Sequence, residues 1–592
     1  MINPEIKDVF DRYFLDKEFT NKKKLMPLSE AVRKNIKPKM SIHFGFTHYR
    51  AHGAAFELLR QFKDKNPEFT LMATGVLEYG IILINYGLIK KVIASFYGDS
   101  YPTSAPNPIL QKAFSDKSVE LENWTNLTIP LRFMAAAYNF PFMPTNSIIG
   151  SSIEKENKGQ LEILSRPNNA DKKICLLSPL QPDIAIVHGL AADADGNTIL
   201  APPYGENLWG AFAAKKGVII TVEKIVSSEF IRRYSHLVKI PGQIVKTVSE
   251  VPFGAFPQGM SNQGVEEIDS YGEDHQFRID FRNVSRDPKD FDEWADFWIL
   301  KNKDHGEFLN KIGYERLMSL KGKADKNAWV YEINSKAPKI DFAKKYSNSE
   351  LMAIITARII GEKTKKHKYK RILGGIGLSS LASSISYYMI KNRSKENIEL
   401  LAETGFYGYI PRPGDPFVFN FANIPTNKIQ SNFIGVLNLF VSGINNRCLG
   451  VLATAQIDKT GNLNSTRLAN GRYLVGSGGA NDICNGAEEV IIVSKNDKRR
   501  LVNELPYITS NGNKVSTLVT DLGIFEKRDK NFVLTRYVDT DGNQKIEDHI
   551  KEISENTGWE IEISENIERI DPPTQEEIEI IRMLDPEGYF TK

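Results

Sequence analysis

One glutamate, Glu403, stands where the sequence offers chemistry. It follows the apolar run Leu400-Leu-Ala and precedes Thr404-Gly405, which puts it at the carboxyl end of a short predicted strand, just before a glycine turn. In open parallel α/β sheets, ligands and reacting groups gather at that end of the strands. A glutamate taken at random is one more surface acid. What sets Glu403 apart is its company: the strand before it and the glycine-containing turn Gly405-Phe-Tyr-Gly-Tyr-Ile-Pro-Arg-Pro-Gly414 after it. The histidines His43, His48, His52, His188 and His275 and the cysteines Cys175, Cys448 and Cys484 show no metal-type spacing, so no metal is expected. Each of these histidines reads as a satisfied polar residue.

The elements that must carry Glu403 occur twice. Met40-Ser-Ile-His-Phe-Gly-Phe predicts a strand entering a glycine turn, and Ala54, Leu58 and Phe62, joined by Ala55 and Leu59, mark one face of a helix. Thr70-Leu-Met-Ala-Thr-Gly is the next strand, which completes the βαβ pattern of a parallel sheet. The plan restarts at Arg371-Ile-Leu-Gly-Gly-Ile-Gly, continues through Leu381, Ile385 and Met389, and reaches Leu400-Leu-Ala-Glu-Thr-Gly. Gly45 and Gly375 lie 330 residues apart, as do Thr74 and Thr404. A later pair of landmarks, Asp193-Ala-Asp-Gly-Asn197 and Asp458-Lys-Thr-Gly-Asn462, is offset by 265, so the first half holds about 65 additional residues between its landmarks. Each landmark leads to a buried-strand run, Val218-Ile-Ile-Thr-Val or Val490-Ile-Ile-Val. Two landmarks in one order in both halves indicate an internal duplication with its boundary in the polar stretch Asn334–Ser349. At the position of Glu403 the first half carries Ala73, so one active site per chain is expected, at a pseudo-symmetric interface.

At 592 residues the chain needs two or three domains. Its 41% hydrophobic and 25% charged content are ordinary for a globular protein, and its first 35 or so residues read as polar helix and linker. A net charge of +3 provides no general field for nucleic acid or an anionic membrane. No run of about twenty apolar residues predicts a membrane span, and the N-terminus has no apolar signal core. Three cysteines that cannot all pair fit a reduced, cytoplasmic setting. Asn123-Trp-Thr and Asn126-Leu-Thr match the glycosylation pattern, which carries no meaning in that setting.

The second half resembles the β subunit of family I coenzyme A transferases, especially glutaconate CoA-transferase. The residues that carry the resemblance are Gly374-Gly-Ile-Gly377, Ala402-Glu-Thr-Gly405, Ala455-Gln-Ile-Asp-Lys-Thr-Gly-Asn-Leu-Asn-Ser-Thr466 and Gly476-Ser-Gly-Gly-Ala-Asn-Asp482, with Lys498-Arg-Arg500, Tyr507-Ile-Thr-Ser510 and Val519-Thr-Asp-Leu-Gly523. The first half is similar to the matching α subunit through Gly87-Leu-Ile-Lys-Lys-Val92, Pro141-Phe-Met-Pro-Thr145, Pro182-Asp-Ile-Ala-Ile-Val187 and Val222-Glu223. The resemblance covers roughly residues 40–260 and 350–565. It implies two related open α/β halves with largely parallel sheets: an α-subunit-like domain over 1–335 and a β-subunit-like domain over 345–592. The entry Phe44-Gly-Phe-Thr-His-Tyr-Arg50 departs from the family in lacking its Gly-Gly pair.

By that resemblance Glu403 is the nucleophile of a ping-pong exchange of CoA between an acyl-CoA and a free carboxylic acid, through a glutamyl-CoA thioester. Tetrahedral oxyanions need oriented donors, and glycine lets backbone approach a ligand closely. Gly478, Gly479 and Ala480 are the backbone candidates, and Gln456 and Asn481 are possible side-chain donors with an equal claim to a structural role. Gly375 and Gly377 are assigned to the CoA site, and Phe46, His48, Arg50 and Thr74 to the acyl pocket, whose acyl group is decided around Phe44–Arg50 and Gly98–Pro108. The loop Tyr407–Pro413 is expected to help exclude water. Lys498-Arg499-Arg500 is the better candidate for the CoA phosphates, and the denser run Lys363–Arg371 reads as a solvated face. The expected partners are acyl-CoA and carboxylic acid substrates, with no permanently bound cofactor, and the fused chain is expected to form a homodimer or homotetramer. An acyl-CoA hydrolase of the same fold, ring-opening members included, is the alternative enzyme. The presence of Glu403 argues against that alternative, and the intact glycine block argues against a non-catalytic acyl-CoA-binding protein.

Overall fold

The computed structural model describes residues 3–13, 22–46, 48–166, 169–262, 264–393, 397–539 and 545–592. Runs such as Val218-Ile-Ile-Thr-Val and Val490-Ile-Ile-Val have no polar alternation, so they must be covered on both faces, as strands of parallel sheets are. Both are fully buried in parallel strands, Val218–Ile225 and Glu489–Val493. In the first half seven parallel strands run in the order Val245–Glu250, Val218–Ile225, Ile184–Ala192, Ser41–Phe44, Phe69–Met72, Ile89–Ala94, Glu120–Asn123. In the second half five parallel strands run Val515–Val519, Glu489–Val493, Cys448–Ala453, Arg371–Gly374, Glu399–Ala402.

The five strands of the second half therefore reproduce five of the first, in the same order. The additional residues of the first half form the strands Ile89–Ala94 and Glu120–Asn123 and a small antiparallel sheet of Met143–Thr145, Leu161–Arg166 and Asn169–Leu177. The second half extends its sheet instead with antiparallel partners, Phe406–Tyr407 on one side and Gly523–Arg528 on the other. Helices His52–Phe62 and Leu378–Arg393 follow the first strand of each half, as the spacing of their apolar residues predicts. Between His275 and Lys336 the chain is helical, with no strand among the described residues. The expected N-terminal linker is partly core: helix Leu28–Asn35 buries Leu28, Ala31 and Val32, and Leu25 bridges to Val248.

The paired landmarks fold identically. Asp193 Oδ1 accepts from the N–H groups of Asp195 and Asn197, and its Oδ2 from Asn197 Nδ2. Asp458 makes the same three bonds with Thr460 and Asn462. Asn197 Oδ1 accepts from Gly242 N–H at 2.9 Å, and Asn462 Oδ1 from Gly512 N–H at 2.8 Å. Each turn is closed by a lysine: Lys24 Nζ donates to Asp195 O and Gly242 O, and Lys527 Nζ to Thr460 O and Gly512 O. The two lysines come from unrelated places in their halves, one before the first strand and one in an added strand.

A half-buried ammonium satisfying two carbonyls contributes about 1.5–3 kcal/mol. Lys527→Met and Lys24→Met are each expected to lower the midpoint of thermal unfolding, followed by circular dichroism. Lys498→Met, an exposed lysine, should leave it unchanged.

Candidate functional site

Glu403 leaves the strand Glu399–Ala402 at its carboxyl end, and the chain doubles back at once into Phe406–Tyr407. Gly405 makes that reversal at φ +139°, and a side chain there would run into Ser431 O. The half-buried carboxylate of Glu403 reaches across to the first half, where Asn126 Nδ2 donates to its Oε1 at 3.0 Å. Its Oε2 lies against Gly479, where an added Cβ would come within 1.8 Å of it, so the carboxylate occupies the space a side chain would take. Burial pushes the Glu403 carboxyl up to about 7, nearby Asp482 adds to the shift, and the Asn126 donor opposes it. At the matching place in the first half Ala73 is fully buried. Thr74 beside it gives its N–H and hydroxyl to Glu206, whose carboxyl burial raises to about 8.

Two cavities meet at Glu403. An enclosed one has aromatic walls that include Phe46, Phe96, Phe417 and Phe419. An open groove runs from Thr103 and Ser104 past Gly375, Gly377 and Gly478–Ala480 to Arg500. Glu403 borders both.

Of the residues singled out in the sequence, Phe46, His48 and Arg50 line the enclosed cavity, and Gly375, Gly377, Gly478, Gly479 and Ala480 line the groove. Thr74, Gln456 and Asn481 line neither. Gln456 donates to Arg499 O and accepts from Asn464. Asn481 accepts from Ile148 N–H and donates to Thr509 O. Both amides are held by the framework of the loops. Among the three backbone candidates, Gly478 N–H donates to Ser95 O and Ala480 N–H to Ser477 O. Of the three, only Gly479 keeps an N–H without a partner among the described residues. Arg499 pairs with Asp497, whereas Arg500 faces the groove. Lys363, from the denser basic run, is tied to Glu489. The loop Tyr407–Pro413 does not border the enclosed cavity; Phe417 and Phe419, further along, close it.

The enclosed cavity holds charges the sequence did not announce. Arg278 donates to Glu78 at 2.9 Å and to Ser100 at 2.8 Å, with Glu273 at 3.6 Å. Burial disfavours the Glu78 carboxylate, but Arg278 and then Arg50 outweigh it and hold the pKa down at about 2. Burial pulls His48 down to about 4, so its imidazole is neutral at pH 7, stacked on Phe406 at 5.0 Å. Arg50 is buried, lies 4.5 Å over the Phe46 ring and forms no ion pair among the described residues. With the Gln258 amide oriented to suit its neighbours, its oxygen accepts from Arg50 Nη1 at 2.9 Å and its nitrogen donates to Glu273 at 3.1 Å. Arg50 Nε is left without a partner.

Asn126, Gln258, Glu273 and Arg278 were missed in the sequence. Asn126 follows the strand Glu120–Asn123 and so lies at the carboxyl edge of the first sheet, as Glu403 lies at the carboxyl edge of the second, a position a complete strand assignment would have exposed. The other three come from the stretch after Val251, which has no counterpart in the second half and no repeat to flag it. Among the described residues no cluster of His, Cys, Asp or Glu could hold a metal, and no helix is long and apolar enough to cross a membrane.

Residues 25–251 match the family described as Coenzyme A transferase. The chain is similar to one of the subunits of glutaconate CoA-transferase from Acidaminococcus fermentans, 28% identical over 321 residues that cover 50% of this chain and 94% of that one. It is also similar to one of the subunits of 3-oxoadipate CoA-transferase from Pseudomonas knackmussii, 27% identical over 270 residues, 40% of this chain and 94% of that one. An acyl-CoA transferase from E. coli O157:H7, solved as a thioester complex with CoA, shares the fold over 92% of this chain and 95% of its own at a TM-score of 0.63, with 16% identity.

Removing the donor to Glu403 disfavours its ionised form. Asn126→Ala is therefore expected to raise the Glu403 pKa above its value of about 7. Carbodiimide labelling of Glu403, which needs the protonated acid, should persist to higher pH in the variant, read by peptide mass spectrometry across a pH series.

Proposed function

The chain belongs to the coenzyme A transferase family, and from that premise we propose that it moves CoA between an acyl-CoA and a free carboxylate through a thioester on Glu403. The observation that carries this reading is the position of Glu403, a carboxylate bordering both an enclosed aromatic cavity and an open groove. The acyl group occupies the cavity and the pantetheine arm the groove, so the thioester carbonyl comes to the carboxylate where the two spaces meet. Arg500, at the groove's rim, is a cation for the CoA phosphates.

The ionised Glu403 attacks the thioester carbonyl and CoA leaves as thiolate, giving an acyl-glutamyl anhydride. The thiolate then attacks the glutamyl carbonyl, releasing the free acid and leaving glutamyl-CoA. An acceptor carboxylate attacks that thioester and expels the thiolate, and the thiolate takes the acyl group from the new anhydride to regenerate Glu403. Gly479 N–H and Asn126 Nδ2 are the donors for the oxyanions that form at the glutamyl carbonyl. A pKa near 7 leaves a substantial carboxylate fraction at neutral pH while keeping the group basic enough to attack. Enclosure of the acyl end keeps water from the anhydride.

The acyl group that suits the cavity carries a second carboxylate. Arg50 is buried, unpaired by any acid among the described residues and faces the space where the far end of the acyl chain would lie. Glutaconate and 3-oxoadipate, which the names of two relatives specify, are both dicarboxylic acids.

Incubation with a dicarboxylic acyl-CoA followed by borohydride should release CoA and convert the Glu403 carboxyl to a primary alcohol, read by mass spectrometry, and Glu403→Ala should lower exchange by at least about 10³-fold. Exchange that survives the substitution overturns the mechanism, and CoA release that needs only water favours a hydrolase. Arg50→Met is expected to raise KM for glutaryl-CoA about 10–100-fold, the loss of one charge-assisted contact, with little effect on butyryl-CoA.

A further inference from the structure

Asp482 is fully buried in the short helix Ala480–Gly486 of the second half. Its two oxygens are used on the first half, on the two residues that flank Asn126. Oδ1 accepts from Thr125 Oγ1 at 2.7 Å and Oδ2 from Leu127 N–H at 3.0 Å. Asn126 between them is gripped from three further sides: its N–H donates to Gly478 O, its Oδ1 accepts from the Ser95 hydroxyl, and its Nδ2 donates to Glu403. We propose that Asp482 is a positioning residue for the transfer reaction, fixing the Thr125–Leu127 turn so that Asn126 holds the Glu403 carboxylate at its attacking geometry. The inference rests on the reading of Glu403 as nucleophile.

The chain of contacts crosses the seam between the halves twice, from Asp482 to Thr125 and Leu127, and from Asn126 back to Glu403. Two donors on residues either side of one asparagine need two acceptor oxygens diverging from one side chain. Aspartate supplies them, and asparagine supplies one. A buried carboxylate without a cation is costly to keep, and no cation pairs with Asp482 among the described residues. Burial raises its carboxyl to about 7, with Thr125, Ser147 and Leu127 as the stabilising donors. An acid here also places charge beside Glu403, where it raises that residue's pKa.

The test compares Asp482→Asn, Thr125→Val and Asn126→Ala, singly and paired, on the full chain in CoA exchange. Displacing a reacting group by about 1 Å costs about 10²-fold, so Asp482→Asn should lower kcat about 10–100-fold while KM for both substrates stays within about twofold. The acid limb of kcat/KM should also move to lower pH, because a negative charge beside Glu403 is gone. Adding Asp482→Asn to Asn126→Ala should cost less than about threefold more, since the two act through one contact. Thr125→Val, which loses one of the two bonds and keeps the charge, should lower kcat without moving the pH limb, and it carries the test if Asp482→Asn does not fold by circular dichroism. An unchanged kcat in folded Asp482→Asn, or fully multiplicative losses in the double variant, overturns the inference. Exchange that persists in Glu403→Ala overturns the nucleophile assignment instead.

Discussion

A carboxylate can act as a nucleophile only if it is partly stripped of water and still able to ionise, and the arrangement around Glu403 meets both demands with groups from opposite halves. Burial alone would push the acid far up. One amide donor, Asn126, lowers it again to about 7. On the other side the carboxylate rests where Gly479 has no side chain. Glycine at 479 is required by that volume rather than by backbone conformation, since its φ is −90°. The proposed nucleophile is thus set by a void in its own half and a donor in the other, and neither half holds it alone.

The same dependence explains how a duplicated fold yields a single site. Both halves retain the strand order and the Asp-x-x-Gly-Asn turn, with its bonds reproduced one for one. What diverged is the strand end: Glu403 faces open space on two sides, whereas Ala73 is fully buried and Thr74 is bound by Glu206. The lysines that close the two turns arose at non-equivalent places, which indicates that the two carbonyls, rather than the residue that meets them, are the inherited constraint.

The repeat made most of the fold legible. Strand–helix–strand periodicity located the first elements of both halves, as with the strand Arg371–Gly374 and the helix Leu378–Arg393 on which Leu381, Ile385 and Met389 lie. The glycine block located one wall of the groove. What the sequence could not reveal depends on partners distant in the chain. Gln456 and Asn481 look like active-site amides because they sit in the right motifs, yet their bonds go to Arg499, Asn464, Ile148 and Thr509. Asn126 looked like no more than a glycosylation triplet, because its meaning lies 277 residues away at Glu403. The stretch after Val251, turns up to Asp274 and then helices, without periodic kinship to either half, gave no hint that it would supply Gln258, Glu273 and Arg278 to the cavity.

Those late residues give the cavity its chemistry. Arg50 and Arg278 face Glu78 and Glu273, so the count of charges is even, yet the pairing is not. Arg278 takes Glu78 directly and stands 3.6 Å from Glu273. Arg50 is left with a neutral amide and the face of Phe46. A buried guanidinium without a carboxylate is stabilised by the field of distant acids but not by a bond, which is an expensive way to fill an interior. Were cohesion the aim, an apolar side chain at position 50 would pack against Phe46 at no desolvation cost. In the proposed reaction an anionic acyl end would resolve the imbalance: it would meet a cation already stripped of water, so little further desolvation opposes the contact. On that proposal the cavity discriminates by what the substrate must leave behind. A neutral acyl chain gains the aromatic walls alone and leaves Arg50 as it was, whereas an anionic end supplies the bond that the fold withholds.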